Sequence, residues 1–107
     1  MAAVNYTNEE FNNALQAGKT FLVDYWAPWC SYCRRIGPAY EKIAEQYEGR
    51  LVIAKVNIDE QPQLAQREHI EVIPTLVLYK NGRPVGSVVA PESKAAIEAF
   101  IEENLRK

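Results

Sequence analysis

The chain has 107 residues and a mass of 12.2 kDa, enough for a single domain over 1–107 with one modest core. Hydrophobic residues make up 48% of it and charged residues 24%, which excludes a disordered tail, a collagen-like repeat and a coiled coil. Twelve Lys and Arg against fourteen Asp and Glu leave a net charge of −2, so no basic surplus exists to hold a nucleic-acid backbone, and no apolar run approaches the roughly 18 residues of a membrane span.

Met1 to Glu10 carries neither a basic start nor an apolar stretch, so no signal peptide is expected and the chain reads as cytoplasmic. Thr7-Asn8-Glu9-Glu10 reads as a capping box, with Glu10 reaching back to Thr7. Phe11 and Leu15 follow four apart, so a first helix should run to about Ala17 and stop at Gly18. Phe21 to Trp26 is β-prone and apolar at every position but Asp24, the pattern of a strand covered on both faces. Ile36, Tyr40, Ile43 and Tyr47 form one stripe at spacings of 4, 3 and 4, which predicts a helix from about Cys30 to Tyr47, closed by Gly49 and kinked at Pro38.

Leu51 to Ile58 should be a second buried strand. A short helix is expected over Gln61 to Glu68, with Pro62 in its first turn and Asp59 as its cap. Thr75 to Tyr79 is a third strand, and Asn81-Gly82 is a tight-turn signal leading into Val85 to Val89. Pro84 suits an edge strand, where its missing N–H does least harm. Glu92 to Leu105 closes the chain as a helix, with Ile97, Phe100, Ile101 and Leu105 on one face. Strands separated by helices need parallel crossovers and the hairpin adds an antiparallel edge, so the class is α/β: a mixed sheet with helices on both sides.

The only cysteines are Cys30 and Cys33. The loop they close is too small to staple a framework, and a reducing compartment would keep a structural disulfide open, so the pair points to thiol chemistry or a metal. It lies after a strand and at a helix start, where free N–H groups and the positive end of the dipole stabilise a thiolate. A free thiol with a pKa of about 8.5 is only a few per cent ionised at neutral pH; lowering it by ~1.5 units takes about 2 kcal/mol, of which the dipole supplies roughly half. Arg34 and Arg35 add positive charge. Cys30, at the turn, is the expected nucleophile; Cys33, one turn inside, is the expected resolving thiol.

Closed zinc sites need four ligands, and His69, the only histidine, lies in a different element, so zinc or an iron–sulfur cluster would require two chains. Asp24, the one charge in its run, should point inward, with burial raising its pKa and making it a proton acceptor for Cys33; the bland alternative is a solvated strand residue. Lys55 either partners Asp24 or faces outward. A cis peptide at Pro74 would expose backbone beside the dithiol.

Asp24, Trp26-Ala27-Pro28-Trp29-Cys30, Cys33, Pro38, Lys55, Ile73-Pro74-Thr75 and Asn81-Gly82, spread over nearly the whole chain, together resemble the thioredoxin family. The resemblance implies a five-stranded mixed sheet flanked by four helices, in the order strand-helix-strand-helix-strand-helix-strand-strand-helix. It implies protein-disulfide reduction with no bound cofactor, the electrons coming indirectly from NADPH through a flavoprotein, thioredoxin reductase. It makes Cys30 the nucleophile, Cys33 the resolving thiol, Asp24 the buried acid, Lys55 its partner and Pro74 a cis-proline. Trp26 and Trp29 are similar to the family's aromatic pair, and Trp29, Ser31, Tyr32, Ile73, Pro74 and Val89 are the expected substrate-contacting set. A monomer with no nucleic-acid or membrane partner is expected.

Two departures stand out. Ser31-Tyr32 replaces the family's Gly-Pro and resembles the dipeptide of some glutaredoxins, which use glutathione and have relatives that bind a [2Fe–2S] cluster as dimers; that is the alternative function. Val89 stands where the family usually has Gly, and its branched side chain should narrow the substrate groove. Stabilising the Cys30 thiolate favours the dithiol, so a less reducing pair than in ordinary members is expected.

Overall fold

A computed structural model describes residues 3–107 as β1 (Val4–Asn5), α1 (Asn8–Gln16), β2 (Phe21–Trp26), α2 (Ser31–Gln46), β3 (Val52–Asn57), α3 (Pro62–Arg67), β4 (Thr75–Lys80), β5 (Arg83–Val89) and α4 (Lys94–Leu105). The strands lie in the order β1-β3-β2-β4-β5, with β1 and β2 parallel to β3, and β4 antiparallel to both β2 and β5. This is the expected thioredoxin-like arrangement of five strands and four helices.

Alternation along the central strand divides the core. Phe21, Val23 and Tyr25 face α1 and α3, where they pack with Phe11, Leu64 and Tyr79. Leu22 faces α2 and α4 with Ile36, Tyr40, Ile43, Ile97 and Ile101. Asp24 and Trp26 have the parity of Leu22, so both point beneath α2.

The local signals hold. Thr7 caps α1 through the reciprocal bonds of a capping box. The Asn81-Gly82 turn has φ of 56° and 80°, the left-handed pair that a two-residue hairpin needs. Pro84 sits on edge strand β5, where Val85 is left over as a bulge between the Tyr79–Pro84 and Leu78–Gly86 pairings. One strand lacks a local signal and one reading changes. β1 has no signature in the residues themselves and exists through its pairing with β3. Asp59 is not the cap of α3: Gln61 holds that position without a side-chain bond, and Asp59 turns to Trp29 instead.

Candidate active site

The chain leaves β2 at Trp26 and turns through Ala27 to Trp29 into α2, which puts Cys30 on the N-cap and Cys33 one turn inside. Cys30 keeps an extended backbone, and its Sγ accepts the Cys33 N–H at 3.2 Å. One of the helix's free donors is thus aimed at the cap sulfur. The two cysteines form a disulfide, with Cα atoms 5.2 Å apart. Cys30 is 9% exposed and Cys33 3%, so an incoming group meets Cys30 first. No acidic residue lies in the first turn of α2 to oppose a thiolate, and the exposed Arg34 donates to the Pro28 carbonyl at 2.8 Å.

Ala27, Cys30 and Cys33 are covered by Trp26, Tyr32, Ile58 and Ile73. The Ile73–Pro74 peptide is cis, as the resemblance implies. Around this patch stand Trp29, Val72 and Val89, three of the four large hydrophobic side chains that the described residues leave exposed. The Trp29 indole N–H donates to Asp59 Oδ1 at 3.2 Å. Val72 accepts the Thr75 hydroxyl at its carbonyl, 2.6 Å away, and Val89 pairs with Thr75, so the two valines flank Pro74. Nothing in the sequence singles out Val72; only the fold turns it outward.

Ser31 is exposed, and Tyr32 lies against the cysteine patch. It is half-buried, and its hydroxyl donates to the Pro91 carbonyl at 3.0 Å, with the Ala90 carbonyl at 3.4 Å. Val89 keeps a backbone outside the left-handed region. The left-handed residue is its neighbour Ala90, at φ 47°, whose N–H donates to the Pro74 carbonyl at 2.9 Å.

Asp24 is 1% exposed, and its Oδ1 has no hydrogen-bond partner. Burial raises its pKa from 3.8 to about 7, against the attraction of Lys55 and with a further push from Glu41. The solvated-strand alternative therefore falls away. Lys55 stands opposite Asp24 in the β2–β3 register, half-buried on the same face, so it does not point outward. Its ammonium lies 4.3 Å from the centre of the Trp26 ring, held by a cation–π contact, and it acts on Asp24 through the field between them. Among the described residues no group of three His, Cys, Asp or Glu side chains gathers to hold a metal, and His69 lies exposed just beyond α3.

Comparison with known proteins agrees with this geometry. The family model described as Thioredoxin matches residues 2–103. The chain is 41% identical over 105 residues to Thioredoxin 1 of Nostoc sp., covering 97% of this chain and 98% of that protein. It is 38% identical to the thioredoxin of Alicyclobacillus acidocaldarius and 39% identical to that of Staphylococcus saprophyticus, each over 98% of this chain and 100% of the relative.

Proposed function

The chain belongs to the thioredoxin family, and on that premise we propose that it reduces protein disulfides with electrons drawn from NADPH through a flavoprotein thioredoxin reductase. It is a thiol–disulfide oxidoreductase that works by dithiol exchange. The observation that carries the division of labour between the two sulfurs is the asymmetry of the pair: one on a helix cap within an apolar rim, the other shielded behind it.

In the reduced protein the Cys30 thiolate, held by the Cys33 N–H and the dipole of α2, attacks one sulfur of a substrate disulfide. A mixed disulfide forms, and the other substrate sulfur leaves as a thiolate. Cys33 then passes its proton to Asp24 and attacks Cys30 Sγ. The Cys30–Cys33 bond forms, the second substrate sulfur leaves, and two electrons have passed to the substrate. A carboxyl with a pKa of about 7 is suited to take that proton near neutral pH. Lys55, across the strand, favours the ionised form that is ready to accept it. Trp29, Ser31, Ile73, Pro74 and Val89 border the substrate's path, with Tyr32 behind them.

A single dithiol completes one turnover, so the proposal needs one copy of the chain and no bound cofactor. A cytoplasmic location belongs to the same reading; among the described residues no helix is long and apolar enough to cross a membrane. The test is insulin reduction with electrons offered separately by thioredoxin reductase with NADPH and by glutathione. Turnover with the reductase, abolished by Cys30→Ser, is expected. Turnover with glutathione alone would overturn the proposed electron donor.

A further inference from the structure

Tyr32 sits between the two cysteines, yet its hydroxyl reaches 59 residues along the chain to the Pro91 carbonyl at 3.0 Å. The segment it reaches is unusual. Ala90 occupies the left-handed region at φ 47°, where a Cβ crowds the backbone. A non-glycine residue stays there only when its surroundings hold it from more than one side. Two anchors do so here. The Ala90 N–H donates to the Pro74 carbonyl at 2.9 Å, and the Tyr32 hydroxyl takes the carbonyl of the next residue, with that of Ala90 itself at 3.4 Å. The tyrosine ring is itself fixed, packed against both the dithiol patch and the α2–α4 core, with the Arg35 guanidinium 5.9 Å from its centre.

We propose that Tyr32 is a positioning residue for substrate: its phenol clasps the Ala90–Pro91 turn to the first turn of α2 and so fixes the Val89 wall of the groove beside Pro74. Val89 is 54% exposed and immediately precedes the strained turn, so the turn's placement sets where that side chain meets a substrate. The second residue of the dipeptide between the cysteines thereby shapes recognition at a distance from the sulfurs. This inference rests on the protein-disulfide reduction proposed above.

Tyr32→Phe keeps the ring and removes only the clasp. Loss of one neutral hydrogen bond corresponds to roughly a 2- to 10-fold change in an equilibrium, so KM for insulin should rise by about that factor, with kcat changing less than about twofold. Amide hydrogen exchange at Ala90 should quicken by roughly threefold or more, while amides of β2 stay protected. Tyr47→Phe, which removes a hydroxyl bonded to Glu102 at the C-terminal cap of α2, should leave KM unchanged. If KM and Ala90 exchange in Tyr32→Phe match those of the native chain, the clasp is refuted. Equal KM shifts in both variants would refute it too. Failure of the native chain to reduce insulin would instead sink the function on which the inference rests.

Discussion

Replacing Asp24 with Asn should stabilise the protein in a pH-dependent way. The carboxyl is 1% exposed, lacks a partner at Oδ1 and titrates at about 7 when folded against 3.8 ordinarily. Its folded-state pKa is raised, so the folded chain holds the proton more tightly than the unfolded one. Below pH ~4 both states are protonated and Asp24 carries no ionisation penalty. Between about 4 and 7 only the unfolded state has lost the proton, so stability falls as pH rises, and above about 7 the loss is complete. A shift of about three pKa units at 1.36 kcal/mol each amounts to about 4 kcal/mol. Asparagine cannot ionise, so Asp24→Asn should match the native chain within about 1 kcal/mol at pH 4 and exceed it by about 4 kcal/mol at pH 8. With an m-value of about 2 kcal/mol/M, that is a shift of about 2 M in the urea midpoint. Urea titrations of both oxidised proteins at pH 4, 6 and 8 read the difference directly, and carboxylates common to both chains cancel. A stability gap that stays constant across this range would show instead that the Asp24 carboxyl pays no burial cost, and would refute the reasoning.

Other consequences are as direct. A Cβ on Gly86 would overlap the side-chain amide of Asn104, which is 4% exposed and bonded through Nδ2 to the Phe100 carbonyl; Gly86→Ala should cost about 1–3 kcal/mol, read by chemical denaturation. The Tyr79 hydroxyl lies 2.7 Å from that of Tyr25 and donates to Glu68 Oε1 at 2.8 Å, so Tyr79→Phe leaves a buried Tyr25 hydroxyl short of its neighbour. It should cost about 1–3 kcal/mol in the same assay, with Tyr25→Phe costing less because Tyr79 keeps Glu68. Equilibration against a glutathione buffer should place the Cys30–Cys33 couple at a less reducing potential than in a relative with Gly-Pro between the cysteines; an equal or lower potential would remove the expected effect of Ser31-Tyr32.

What the residues disclose in advance is what is local. The capping box at Thr7, the stripe from Ile36 to Tyr47 and the Asn81-Gly82 turn each depend on neighbours within a turn or two, and each lies where its pattern puts it. Asp24 is legible for a related reason: one charge in an apolar strand must face something, and alternation decides which side. β1 is not legible, because two residues carry no period and gain their structure from β3. Asp59 is misread because the sequence shows α3 close by but not Trp29, 30 residues earlier and brought near by the β2–β3 crossover. A longer separation, 59 residues, hides the bond from Tyr32 to Pro91, and the exposure of Val72 is set by the fold around the cis-proline. The resemblance supplied the topology and the cis-proline, but no residue in the sequence marks the left-handed backbone at Ala90.

The two margins of the sheet bear on the company such a protein keeps. A reductase of protein disulfides meets chains that are partly unfolded and ready to add themselves to any open strand. One margin is β1, two residues paired with Ala54 and Lys55 of β3, and the other is β5, where Pro84 lacks an N–H and the Val85 bulge breaks the repeat. Neither is a template on which a foreign segment could grow a ladder. In the proposed function, contact is thereby directed away from the sheet's flanks and toward the rim around Cys30, where a captured chain would be released once its disulfide has been reduced.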